Sequence, residues 1–429
     1  MSTRHCPAML ISAPSSGQGK TTVTAGLAAY HRKRGRKVQV FKAGPDFLDP
    51  MILQQASGQP VHQLDLWMGG EEHCRAQLYQ AAQQADLILV EGVMGLFDGR
   101  PSSADIAATF NIPVLAVLDV SGMAQTFAAL GLGMATLRKD VQVMGMLANR
   151  VGSDRHLEML REYLPEELPL YGWLARDASI ALPERHLGLL QAAEIADLTA
   201  RIDGVAEALH LSGDGLPPPV AFSGQPSSGV SRLLEGVKIA VARDTAFAFL
   251  YQANLDTLNA LGAQLVFFSP LNDAAMPEAD ALYLPGGYPE LYLAQLAANQ
   301  TMQHSIRAHH AQDKPILAEC GGMLYLLDHL TDSAGNSAAM TGLLPGQATM
   351  QKRLANLGMY SITLPEGVLR GHSFHYSKME TDAEPLALSA GVRPGSRPEP
   401  AFRKGRLHAS YMHHYFPSSP EAAARLFMP

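Results

Sequence analysis

Four groups of residues have the types and spacing that chemistry requires. The first is the small-residue loop Ala13-Pro14-Ser15-Ser16-Gly17-Gln18-Gly19-Lys20-Thr21-Thr22, between the apolar run Met9-Leu10-Ile11-Ser12 and a helix-forming stretch from Val23 to Arg34 that Gly35 ends. A strand, a loop and Gly-Lys-Thr at a helix start is the setting in which backbone N–H groups cradle phosphates. Lys20 would then reach the β/γ-phosphates, and the Thr21 hydroxyl would hold Mg²⁺. Pro14 stands where G-x-x-x-x-G-K-S/T has its first Gly, so a plain Gly/Ser turn opening a helix is the alternative.

The second group is Lys42-Ala43-Gly44-Pro45-Asp46-Phe47-Leu48-Asp49-Pro50, and the third is Glu91-Gly92 at the end of Leu87-Ile88-Leu89-Val90, with Gly95 and Asp98 following. Both acidic groups follow apolar runs and so fall on the carboxyl edge of a parallel sheet, where open α/β sheets bind ligands. Carboxylates around a triphosphate imply Mg²⁺. Asp beside Pro also caps turns, which would account for Asp46 and Asp49 without a ligand. Lys42 favours the ligand reading, because a cation at a strand end is costly unless it meets an anion. Asn149, at the end of Val143-Met144-Gly145-Met146-Leu147-Ala148, could read an adenine edge or cap its strand.

The fourth group surrounds Cys320. Pro315-Ile316-Leu317-Ala318-Glu319-Cys320-Gly321-Gly322-Met323-Leu324 reads as a buried strand, a turn and a helix, which puts the thiol on a strand-to-helix elbow. The helix N-terminus is expected to lower the thiol pKa, and the glycines to admit a substrate carbonyl. Backbone N–H groups of Gly286 and Gly287, in Leu284-Pro285-Gly286-Gly287-Tyr288-Pro289-Glu290, could form an oxyanion hole. His408, His413 and His414 are three choices of base.

The elements that must position these groups follow from hydrophobic patterning. Residues 8–13, 37–42, 85–91, 112–119 and 141–149 are short continuous apolar runs with longer helical or mixed segments between them. That pattern predicts a parallel sheet covered on both faces. A second series, residues 237–242, 264–268, 281–284 and 315–319, predicts a second α/β domain. The expected organisation is a domain over residues 1–210, a Pro/Gly/Ser-rich linker over 211–236 and a domain over 237–429, with Gly391 to Gly405 as a surface excursion.

Composition narrows the function. The chain has 429 residues, 33 Lys+Arg against 40 Asp+Glu, a net charge of −7 and 17% charged residues, which argues against disorder and against a nucleic-acid-binding surface. No apolar run is long enough to span a bilayer, so no membrane partner is expected. Three cysteines without a C-x-x-C pair point to reduced thiols and a cytoplasmic location. A homodimer is compatible with the sequence and not specified by it.

APSSGQGKTT, KAGPDFLDP, VEGVMGLFDG, LPGGYPELY, AECGGMLYL and HASYMHHYF, in that order from about residue 8 to residue 416, resemble the cobyrinate or hydrogenobyrinate a,c-diamide synthases of cobalamin biosynthesis. The resemblance implies an N-terminal dethiobiotin-synthetase-like P-loop domain and a C-terminal class I glutamine amidotransferase domain. It implies ATP- and glutamine-dependent amidation of the a- and c-acetate side chains of a corrinoid tetrapyrrole through acyl phosphates. It makes Cys320 the nucleophile and His413, in S-Y-x-H, its partner, with Tyr415 where a His-Pro-Glu ending has its third member. It puts Ser15, Ser16, Gly17, Gln18, Gly19, Lys20, Thr21 and Thr22 on the nucleotide and Thr21, Asp46 and Glu91 around Mg²⁺. Lys42 falls on the transferred phosphoryl or the carboxylate, Phe47, Leu48, Asp49 and Asp98 near the corrin, and Arg185 and His186 near its carboxylates. Cobyric acid synthase and Ni-sirohydrochlorin a,c-diamide synthase are close rivals; CTP synthase and a P-loop switch ATPase with an inactive amidotransferase-like domain are remoter ones.

Overall fold

The computed structural model describes residues 2–185, 188, 189, 191–224 and 231–429. The chain divides into two compact units, residues 1–228 and 229–429.

In the first unit, β1 (Ser2–Ser12), α1 (Lys20–Arg32), β2 (Val38–Ala43), α2 (Leu48–Ser57), β3 (His62–Leu64), α3 (Gly70–Ala82), β4 (Leu87–Glu91), α4 (Ser103–Phe110), β5 (Val114–Asp119), α5 (Thr126–Thr136), β6 (Val143–Val151), α6 (Asp154–Arg161) and β7 (Leu170–Ala175) alternate as the apolar runs predict. Two short strands, β8 (Glu184–Arg185) and β9 (Gly188–Leu189), precede α7 (Leu198–Ala208), β10 (Leu209–Leu211) and β11 (Pro219–Gly224). The sheet order is β10-β7-β6-β5-β1-β4-β2-β3, parallel from β7 to β3, with β10 antiparallel on β7. The strands are apolar throughout because both faces are covered: Ala8 and Leu10 pack on one side of β1, Met9 and Ile11 on the other. Each Leu, Ile or Met side chain buried in this way contributes about 1.5–3 kcal/mol.

The stretch expected to be a linker, residues 211–236, is in part folded: β11 pairs antiparallel with β1, Cys6 opposite Val220 and Arg4 opposite Phe222. Val220 and Phe222 are buried in alternation with exposed neighbours, so period-2 patterning outweighs the Pro and Gly content around it. Residues 225–230 lie outside the described ones.

In the second unit, β12 (Lys238–Ala242), β13 (Gln264–Phe268), β14 (Ala281–Leu284) and β15 (Ile316–Glu319) form a parallel group in the order β13-β12-β14-β15. It continues through the parallel strand Leu407–Ser410 to the antiparallel strands Pro400–Lys404 and Ala387–Leu388. Gly391 to Gly405 is therefore more than a surface excursion, since Ala401 and Phe402 within it are buried. A long antiparallel pair, Asn356–Leu364 with Gly367–His375, carries His413–His414 on its edge.

Candidate functional site

β1 ends between β4 and β5, where successive connections leave in opposite directions, and this is where an open α/β sheet makes a crevice. The loop after it is left-handed at Gly17 (φ 79°) and Gly19 (φ 87°). A Cβ on Gly19 would lie 2.1 Å from Asn149 Nδ2, so only Gly fits there. Helix α1 has no side-chain N-cap and no acidic residue in its first turn, which leaves its leading N–H groups for an anion. Lys20 is buried and donates from Nζ to the carbonyls of Met94 (2.6 Å) and Ser15 (3.1 Å). Burial, and then Lys42, lower its pKa.

Asn149 is brought to this loop, where its Nδ2 donates to the Gln18 carbonyl at 2.9 Å; the Asp119 N–H donates to Gln18 Oε1 at 2.8 Å. Two strand ends thus hold the loop from one side. Close approach, lost with Pro14, is regained from the facing loop: a Cβ on Gly95 would lie 2.6 Å from the Pro14 carbonyl oxygen. Ser15, Ser16 and Gly17 are exposed on the loop, Gln18 and Thr22 half-buried.

The two acidic groups converge. Lys42 and Glu91 end adjacent strands in register, and Lys42 Nζ contacts Asp49, Glu91 Oε1 at 2.6 Å and Asp46 Oδ2 at 3.6 Å. Lys42 and Glu91 are buried, and three carboxylates share one ammonium. Burial alone would lower the Lys42 pKa, but the carboxylates raise it well above its usual value. Burial raises Glu91 and Asp46; desolvation would raise Asp49 as well, but Lys42 lowers it. Asp46 also does turn chemistry, since its Oδ1 accepts the N–H groups of Leu48 (2.9 Å) and Asp49 (3.2 Å). Asp98 is exposed and accepts the Gly95 N–H at 3.0 Å.

Thr21 Oγ1 donates to Glu91 Oε1 at 3.1 Å, and among the described residues the buried Glu91 Oε2 has no hydrogen-bond partner. An orphaned carboxylate oxygen beside a P-loop Thr, in a cluster with surplus negative charge, fits Mg²⁺. Among the described residues no group of three or more His, Cys, Asp and Glu is arranged so that it could hold a metal ion by itself. Mg²⁺ uses one or two protein carboxylates together with phosphate oxygens and water. Of the residues expected at the corrin carboxylates, His186 lies outside the described residues and Arg185 is described only as part of β8.

In the second unit Cys320 sits between β15 and the helix Gly321–Leu326 with φ 45°, a left-handed conformation that is strained for a side chain with a Cβ. Its N–H donates to Ser410 O at 2.8 Å, which fixes the elbow to the neighbouring strand. Packing brings the expected partners to the Gly286-Gly287 loop. A Cβ on Gly321 would lie 2.8 Å from Gly287 N, and one on Gly286 would lie 2.2 Å from His413 Cε1. His413 is buried and stacks on His372 at 4.9 Å between centroids, in register with it across the antiparallel pair. Of the three histidines offered by the sequence, it is the one seated against the Gly286-Gly287 loop; His414 is held by Glu319.

The expected lowering of the Cys320 pKa is overturned. Burial, and then Glu290, push the thiol up, while the short helix contributes only the Gly321 N–H in the other direction. Burial, and then His372, hold His413 well below the ordinary imidazole value. Both shifts favour the uncharged forms of the thiol and the imidazole. Gly286→Ala, which would drive a methyl into the imidazole, is expected to cut glutamine-dependent turnover at least ~10-fold while ammonium-dependent turnover stays within about twofold; steady-state assays with each donor check it.

Comparison with known proteins follows the same division. Residues 9–190 match the CobQ/CobB/MinD/ParA nucleotide binding domain, and residues 238–421 the CobB/CobQ-like glutamine amidotransferase domain. A hydrogenobyrinate a,c-diamide synthase of Stutzerimonas stutzeri (strain A1501) is 59% identical over 430 residues, covering 100% of both chains. The chain belongs to the a,c-diamide synthase family. A second family member of that description, from Pseudomonas aeruginosa, is 58% identical, covering 100% of this chain and 99% of its own. A cobyrinate a,c-diamide synthase of Herminiimonas arsenicoxydans is 48% identical, covering 100% of this chain and 98% of its own. With its amidotransferase domain, membership of this family makes the chain a glutamine-dependent carbon–nitrogen ligase. No helix among the described residues is long and apolar enough to cross a membrane.

Proposed function

We propose that the chain amidates the a- and c-acetate side chains of hydrogenobyrinate or cobyrinate, using ATP and glutamine. The observation that carries this reading is the presence in one chain of two sites of complementary chemistry: a helix start without a side-chain cap beside a carboxylate cluster, and an elbow cysteine and an imidazole both brought to one Gly-Gly loop. The names of the full-length relatives support the substrate.

A carboxylate does not lose oxide to ammonia near neutral pH, so a leaving group must be made. ATP phosphorylates the acetate oxygen to an acyl phosphate, with Lys20 on the transferred phosphoryl. Thr21 and Glu91, with Asp46 near, would hold Mg²⁺, which would supply charge neutralisation on the phosphates. Lys42 and Asp49 border the acetate, with Phe47, Leu48 and Asp98 on the loops toward the macrocycle. Asn149 and the loop residues Ser15 to Thr22 hold the nucleotide. Ammonia then displaces phosphate.

In the second unit His413 takes the thiol proton as Sγ of Cys320 attacks the glutamine amide carbon. The N–H groups of Gly286 and Gly287 hold the oxyanion, His413 passes the proton to the departing ammonia, and water hydrolyses the thioester. Incubating the full chain with candidate macrocycles, ATP, Mg²⁺ and glutamine, and following mass, tests the reading. Each turnover replaces one carboxyl OH by NH₂, and two replacements are expected on hydrogenobyrinate or cobyrinate; no mass change on either overturns it.

A further inference from the structure

β15 ends in a buried carboxylate that the mechanism above does not use. Glu319 is 1% exposed and immediately precedes Cys320. Its Oε1 accepts two donors from His414, the backbone N–H at 2.9 Å and ring Nδ1 at 2.8 Å, and its Oε2 accepts the Tyr283 hydroxyl at 2.8 Å. Tyr283 packs in the core on one face of the sheet, whereas Cys320 belongs to the core on the other, so these bonds lie behind the thiol.

The three residues joined in this way belong to three segments, each carrying one part of the glutamine-hydrolysing site. Tyr283 lies on β14, three residues before Gly286; Glu319 adjoins Cys320; His414 adjoins His413. Asn254 braces the third segment further, donating to His414 O and accepting the Phe416 N–H, both at 2.8 Å. Tyr415, at the place of a His-Pro-Glu carboxylate, instead packs edge-on against Tyr251.

We propose that Glu319 is the positioning residue of this site, fixing His413 through its neighbour His414 and setting the separation of imidazole, thiol and Gly286-Gly287 loop. The proposal rests on the Cys320–His413 reading above. A misplacement of about 1 Å in a reacting group costs about 10²-fold in rate, whereas glutamine binding is expected to change little, because both carboxylate oxygens of Glu319 are engaged by His414 and Tyr283.

The test is full-chain glutaminase kinetics alongside ammonium-dependent amidation. Glu319→Ala should lower kcat for glutamine about 100-fold, with KM changed less than about 3-fold and the ammonium-dependent rate within about twofold. Glu319→Gln, which keeps an acceptor oxygen for His414, should recover at least about a tenth of the wild-type kcat. Tyr283→Phe removes one hydroxyl and should lower kcat about 5-fold, and it decides the question if the Ala variant does not fold. Unchanged kcat in Tyr283→Phe and in any folded Glu319→Ala, or a rise in KM with kcat kept, overturns the proposal. A Cys320→Ala control separates the two ideas: if it still hydrolyses glutamine, the thiol reading has failed; if it does not and the Glu319 and Tyr283 variants turn over normally, only the positioning role has failed.

Discussion

Cys320→Ala is expected to lower glutamine-dependent amidation by about 10⁴-fold or more, the scale of losing a covalent nucleophile, while amidation supported by ammonium salts continues. The substitution is small: the side chain is 6% exposed, its C-terminal neighbours are glycines, and Ala loses only the sulfur from an elbow whose backbone is fixed by the Ser410 carbonyl. Ala is smaller than Cys, so the substitution need displace no neighbour. Parallel initial rates with glutamine and with ammonium chloride check it; equal loss with both donors means that Cys320 serves the fold rather than nitrogen release. Because burial raises the thiol pKa, alkylation of resting enzyme by iodoacetamide near neutral pH should be slow, which gives a second handle on the same residue.

Glu91→Gln is expected to abolish amidation with either donor, by about 10²–10³-fold. Gln preserves the volume and one acceptor oxygen for Thr21 and Lys42, but it removes the charge and the orphaned anionic oxygen that suits Mg²⁺. Lys42 keeps Asp49 and Asp46 as partners, so the unit should stay folded, whereas removing Lys42 itself would strand one buried and two half-buried carboxylates. Nucleotide-dependent thermal stabilisation with and without Mg²⁺ separates lost metal binding from lost folding. A variant with wild-type turnover removes Glu91 from the metal site.

The parts of the fold legible in the sequence are those buried on two faces. Leu87 to Val90 and Ile316 to Ala318 are apolar without interruption because both sides of the strand are covered, and a single acidic residue ending each run marks a place where a charge is tolerated for a reason. By that rule Glu319 carries the same signal as Glu91, but the thiol next to it draws the eye first.

Strands with one covered face are not legible in the same way. Asn356–Leu364 and Gly367–His375 mix buried and exposed positions over nine residues each and are held by a partner in the adjacent hairpin arm rather than by an apolar run. His372 comes to His413 only through that register, which local patterning does not encode. The sign of the Cys320 shift escapes the sequence for a related reason: helix position is local, but desolvation depends on the whole environment.

The pairing of β11 with the first residues of β1 bears on how the two halves can be taken apart. A truncated chain stopping at residue 210 would strip the backbone partner from Arg4 and Cys6 and uncover Tyr79, against which Gly224 is tightly packed. Cutting beyond Gly224 keeps that edge closed, so an isolated ligase half has its natural terminus about fifteen residues later than composition would suggest.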